Sequence, residues 1–139
     1  MTPARLAIAA AMVALPLSVA FAPTALAEPV PAAPYVDHVE WAKWGDLSSL
    51  RVYPTAAGRL AAGHVGTNAQ ADEAWAEVLS LSPDADIPGM KPQFLCHWQF
   101  AEIAHPGKTS WNLEPWRPEV TEDQMLGAGC NPGGTEEPF

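Results

Sequence analysis

The chain has 139 residues, with 7 basic against 16 acidic side chains and a formal net charge of −9 at neutral pH when histidine is neutral. That length suits one domain built on one modest core. The acidic balance argues against a sequence-blind nucleic-acid binder, whose affinity comes from Lys and Arg on phosphate, and disfavours docking on anionic lipid for the same reason.

At the N-terminus a single basic residue, Arg5, precedes an apolar run from Leu6 to Ala22, and Ala25-Leu26-Ala27 stands immediately before Glu28. This is the pattern of a secretory signal occupying residues 1–27. An uncleaved anchor helix is the competing reading, but Pro16 interrupts the run and no basic stop-transfer cluster follows it. The mature protein is therefore expected outside the cell, without membrane attachment once the signal is removed. Residues 28–34 (EPVPAAP) form a Pro/Ala linker too poor in large apolar groups to fold.

A single α+β domain is expected over 35–131. Val39 and Trp41 alternate with His38 and Glu40, which predicts a half-buried strand across Val36 to Trp44. Gly45-Asp46 supplies a turn, and Leu50 to Tyr53 reads as a second strand stopped by Pro54. Ala56 to Gly66 is expected to be a loop, because Gly58, Gly63 and Gly66 are too frequent for a stable helix. Thr67 with Gln70 fits a capping box, and Ala71, Trp75, Val78 and Leu79 fall on one face of the helix it would open. Pro83 and Pro88-Gly89 end that helix.

Pro92 to Ala104 reads two ways. Phe94, Cys96, Trp98 and Phe100 alternate as in a strand, while Phe94, Trp98 and Ala101 make a helical stripe; the length of the run and Pro92 at its start favour helix. Thr109 to Leu113 reads as a strand with Trp111 and Leu113 inward, and Thr121 to Gln124 opens a short helix that ends at Gly127. Residues 132–139 are expected to be a flexible tail. The whole is a small, mostly antiparallel sheet with two or three short helices and one disulfide.

Cys96 and Cys130 are the only cysteines. In an exported chain they most simply pair with each other, free thiols and an intermolecular bridge being the alternatives. Between them lies the most distinctive string, Trp111-Asn112-Leu113-Glu114-Pro115-Trp116-Arg117-Pro118. Trp116 beside Arg117 permits cation–π stacking, and Asn112 and Glu114 alternate with Trp111 and Leu113, so Asn112, Glu114, Trp116 and Arg117 are candidates for a rigid ligand-binding rim. The competing reading has the tryptophans plugging a small core and Arg117 paired with Glu114.

The same residues carry a resemblance. Gly89-Met90, Gln93-Phe94, Cys96-His97, Trp111 to Glu114, Trp116-Arg117-Pro118 and Cys130-Asn131-Pro132 together resemble a family of small secreted actinobacterial proteins that carry a domain of unknown function. The match spans Val36 to Pro132. It implies export and the Cys96–Cys130 disulfide, and it supplies no catalytic residues.

No cofactor is expected, and metal binding finds no ligand spacing among His38, His64, His97 and His105. Asp84-Ala85-Asp86 begins like a calcium loop but fails where Pro88 takes the fifth place and Leu95 the twelfth. A general acid or base at His97 would need a carboxylate, for which Glu114 or Glu102 is a candidate, with Arg117 a further candidate beside Glu114. The leading expectation is a monomeric secreted binding or interaction module for an extracellular or cell-envelope ligand; the alternatives are a small secreted hydrolase using His97 and Glu114, and an exported toxin or effector.

Overall fold

The computed structural model of the chain describes residues 20–134. Most of the apolar run assigned to an export signal therefore lies outside the described residues, as do 135–139 of the expected tail. Residues 20–34 run without helix or strand.

Strands β1 (Val36–Trp44) and β2 (Leu47–Pro54) form an antiparallel hairpin in which Trp44 faces Leu47. Gly45 opens the two-residue turn with a φ of 58°, a left-handed value that glycine takes without steric cost. Strand β3 (Trp111–Leu113) pairs antiparallel with β2, so the sheet order is β1-β2-β3. Its register sets Leu50 opposite Leu113 and Val52 opposite Trp111, and all four are fully buried. The alternation read from the sequence is thus the inward face of the sheet.

Among the described residues four α-helices accompany this sheet, the last packed on the third. The first, α1 (Ala56–Ala62), occupies the stretch expected to be a loop. The glycine count misled because Gly58 is there for closeness rather than freedom: a β-carbon on it would lie 2.1 Å from the carbonyl oxygen of Tyr35. The surrounding alanines carry helix propensity, and Thr55 caps the helix by accepting the Gly58 amide at 2.9 Å.

Helix α2 (Asn68–Leu81) is as expected, but its capping box is not formed. The Thr67 hydroxyl is taken up elsewhere, accepting the indole N–H of Trp98 at 3.0 Å and donating to the His64 carbonyl. Glu77 of α2 receives the Tyr35 and Val36 amides at 2.8 and 2.7 Å, which fixes the start of β1. A 3-10 turn at Pro83–Ala85 follows, where the Ser82 hydroxyl accepts the Trp41 indole N–H and donates to Asp84, holding that carboxyl below its usual range.

Helix α3 (Met90–Ala104) settles the ambiguous segment in favour of helix, with Pro92 in its first turn, where a missing N–H costs nothing. It lays Phe94 and Trp98 against Trp111, with ring centroids 6.1 and 6.0 Å apart, and Tyr35 meets Trp98 edge-on at 5.6 Å. Each such pair adds about 0.5–1.5 kcal/mol beyond the area it buries. Helix α4 (Glu122–Gly127) does have a full capping box, from Thr121 and Gln124. It ends in a turn where Gly129 and Cys130 both take left-handed φ values of 59° and 67°. That turn aims Cys130 back at α3, where it is bonded to Cys96 with the α-carbons 5.6 Å apart.

Candidate functional site

The two free edges of the sheet are treated differently, and the difference locates every candidate residue. Along β3, the outer edge is closed by side chains of α3. Gln93 accepts the Glu114 amide and donates to the Glu114 carbonyl, both at 2.9 Å, while His97 Nε2 shares a hydrogen bond of 3.0 Å with the Asn112 carbonyl. Gln93 and His97 are four apart on the helix, one turn of about 5–6 Å, and Asn112 and Glu114 are two apart on extended chain, about 6.5 Å; the spacings match. The primary amide of Gln93 thereby does what a fourth strand would do at Glu114. Among the described residues the edge of β1 has no such cover. It is blunted by an irregular register between Val36 and His38 and by the exposed charges of Asp37, Glu40 and Lys43.

Glu114 then turns the chain. Its carbonyl also accepts the Arg117 amide at 3.2 Å across Pro115 and Trp116, a reverse turn with proline in its favoured second place. This brings the Arg117 Nε to 2.6 Å from one Glu114 carboxylate oxygen, and the Ser49 hydroxyl donates to the other at 3.1 Å. Both side chains of the ion pair are 0 % exposed. Arg117 Nη1 reaches the carbonyls of Pro132 and Gly134 at 3.1 and 3.0 Å, and its guanidinium carbon lies 4.5 Å from the centroid of the Trp116 ring. Pro118 touches the space a β-carbon on Gly133 would need.

Asn112, Glu114 and Arg117 are therefore buried and occupied with holding the chain together, and only Trp116 of the proposed rim keeps partial exposure. The exposure expected for Asn112 and Glu114 is corrected: both are buried, and over Glu114 lies Arg117, itself held by the carbonyls of Pro132 and Gly134. Gln93, which the sequence marks only as part of a recurring pattern, is the residue on which β3 depends. Replacing it with alanine strands a buried N–H at Glu114 and is expected to cost about 1–3 kcal/mol, read as a lowered midpoint in urea with the native circular dichroism otherwise kept.

The accessible candidate lies on the other side of α3. Between α3 and α4 runs a groove of about 370 Å³, lined mainly by Leu95, Phe100, Val120, Met125 and Leu126, with the Cys96 end of the disulfide in its floor. A second depression of about 320 Å³ continues from it, sharing Phe100 and Leu126 and reaching His97, His105 and Lys108. A third, of about 260 Å³, joins at Phe100 and Ile103 and extends to His64 and Val65. Ile103 is 72 % and Leu126 51 % exposed. These apolar residues meet solvent because α3 is apolar nearly all round, a character that belongs to a helix covered on every side. Among the described residues no group of three or more His, Cys, Asp or Glu side chains could hold a metal ion.

A family model described as "Protein of unknown function (DUF2599)" matches residues 36–133. The Mycobacterium tuberculosis "Uncharacterized protein Rv0477" is 64 % identical over 104 residues, covering 75 % of this chain and 70 % of that protein. The Mycobacterium leprae "Uncharacterized protein ML2452" is 49 % identical over 108 residues, covering 78 % of this chain and 87 % of its own. No solved structure matches.

Proposed function

Since the chain belongs to the DUF2599 family, whose function is unknown, we propose from its geometry that it is a secreted, monomeric binding module whose site is the apolar surface between α3 and α4. The observation that carries this reading is the exposed, continuous apolar surface from Leu95 through Phe100 to Ile103 and Leu126 on elements pinned by a disulfide. Volumes of this size are in the range of small-molecule sites. The disulfide favours an oxidising compartment, and the segment from Leu6 to Ala27 supplies the signal pattern that would take the chain there. Among the described residues no helix is long and apolar enough to cross a membrane. The blunted β1 edge and the sealed β3 edge support a monomer.

The ligand expected is hydrophobic and extracellular or held in the cell envelope. The alternative of hydrolysis by His97 and Glu114 receives no support from their partners: His97 Nε2 is shared with a backbone carbonyl, and the Glu114 carboxylate receives Arg117 and Ser49. Nor does any residue placement favour the toxin alternative.

Nile red, a neutral dye that brightens in apolar surroundings, tests the reading. The folded chain is expected to bind it saturably, and Leu126→Glu, at a half-exposed position, is expected to abolish the binding with no change in melting temperature. Dye binding that is absent in the parent chain, or unchanged in the variant, would remove the surface as a site.

A further inference from the structure

The basic side chains of this acidic chain are taken up elsewhere, and the imbalance reaches one end of the groove. Arg59, Lys91 and Arg117 are in ion pairs with Glu102, Asp72 and Glu114. Arg51 and Lys108 are engaged as well, and Lys43 stands on β1, outside the lining of the groove. Glu122 is the one charged side chain that lines the groove between α3 and α4; it is exposed, and no cation among the described residues pairs with it. Asp123 stands beside it in the first turn of α4, and Glu119 lies against Gly89, the residue that caps α3, its γ-carbon 3.4 Å from where a β-carbon would be.

The geometry points to a single-chain amphiphile with a cationic head, specifically an alkylammonium, as the ligand of the groove. This rests on the apolar-surface reading above and names the ligand class for it. The ammonium meets Glu122, and the alkyl chain runs over Met125 and Leu126 to Phe100 and on into the second depression at Ile103. Glu122 and Leu126 are one helical turn apart, and Phe100 and Ala104 another, each about 5–6 Å. A medium-length alkyl chain covers that path, and a volume of about 370 Å³ is the size of a small-molecule site.

Two helix N-termini oppose a cation at this end, each with about half a positive charge. They are more than answered, since Glu122 and Asp123 lie in the first turn of α4 and Glu119 lies against the cap of α3. The capping box of Thr121 and Gln124 also serves backbone amides at the start of α4 without either carboxylate. An anionic head is disfavoured at both ends. It meets Glu122 at one, and at the other the carbonyl end of α3, which carries about half a negative charge, where Lys108 and His97 are already engaged. A neutral head leaves Glu122 unanswered.

Calorimetric titration of the folded chain at low salt with decylammonium, decanol and decanoate, each below its micelle concentration, tests this. Saturable one-to-one binding of decylammonium that displaces Nile red is expected, about fivefold tighter than decanol, the upper range for one exposed ion pair, with decanoate weaker than both. Added salt is expected to bring decylammonium to the level of decanol. Glu122→Gln is expected to do the same at low salt while leaving decanol and Nile red unchanged. Glu73→Gln, at an exposed carboxylate of α2, is expected to change none of them. Decylammonium binding no tighter than decanol or decanoate in the parent chain, or weakened as much by Glu73→Gln as by Glu122→Gln, would overturn the cationic head at Glu122 and leave the apolar site standing. If no decyl ligand binds although Nile red does, the alkylammonium is overturned; if Nile red fails as well, the surface itself is not a site.

Discussion

Arg117→Leu is expected to remove about 3–5 kcal/mol of stability, because it leaves the Glu114 carboxylate charged and without its cation in a fully buried setting. Net stabilities of small domains run to about 5–15 kcal/mol, so the variant should be close to unfolding at room temperature. Substituting both partners, Glu114→Leu with Arg117→Leu, is expected to recover most of the loss, since an apolar pair of similar size does not have to be desolvated as ions. Recovery will be incomplete, because the carbonyls of Pro132 and Gly134 lose their donor in both variants. Urea unfolding of the parent, the single and the double variant reads these differences directly. A single variant within about 1 kcal/mol of the parent, the range of a solvent-exposed pair, would show that Glu114 and Arg117 face water and would return them to candidacy as a ligand rim.

The second large effect follows from the disulfide. Cys96 and Cys130 are 34 residues apart, and opening a loop of that size costs about 3–4 kcal/mol in the chain-entropy model. The functional loss should exceed what that figure implies. Cys130 ties the turn that follows α4 to α3, and α4 supplies one wall of the groove through Met125 and Leu126. With the bond reduced, or in Cys96→Ser with Cys130→Ser, what remains to hold α4 among the described residues is the small cluster of Met125, Phe100 and Val120 against α3 and the Arg117 bonds to Pro132 and Gly134 beyond it. The expected result is a lowered unfolding midpoint together with loss of Nile red binding under conditions where circular dichroism still shows a folded protein. Binding that survives reduction in the folded protein would place the site away from α4, with the β1–β2 hairpin and its exposed Trp44 and Leu47 as the next surface to examine.

The sheet and three of the four helices among the described residues were legible in the sequence because they rest on local patterns, α3 by the length of its run over a competing strand alternation. Alternation at Val39 and Trp41 and at Trp111 and Leu113 marks the inward face, and the Thr121–Gln124 box is a contact between residues three apart. What was not legible depends on partners distant in the chain. The Thr67 hydroxyl is diverted by an indole 31 residues away, and Gly58 answers to the backbone of Tyr35. The pairing of Glu114 with Arg117 could be read across Pro115, but its burial could not, since the cover comes from residues 130–134.

The sealing of β3 by Gln93 and His97 is the same kind of case. Their four-residue spacing was visible, while the strand edge it serves appears only once α3 is placed. The groove left a weaker trace: α3 carries Phe94, Leu95, Trp98, Phe100, Ala101 and Ile103, more apolar surface than one buried face can use. Aromatic and charged residues near Trp116 suggested an exposed rim, yet Asn112, Glu114 and Arg117 are buried, because such residues are also what a small core needs.

The most direct measurement is a pair of carbon–proton and nitrogen–proton spectra, reporting methyl, indole and side-chain amide groups, recorded while the folded chain is titrated with Nile red. The expected result is a set of saturating shifts at Leu95, Ile103, Met125 and Leu126, with the Trp116 indole and the Asn112 side chain unmoved. Shifts concentrated at Trp116 and Asn112, with the Leu126 and Ile103 methyls unmoved, would contradict the division between a buried clasp and an exposed apolar site.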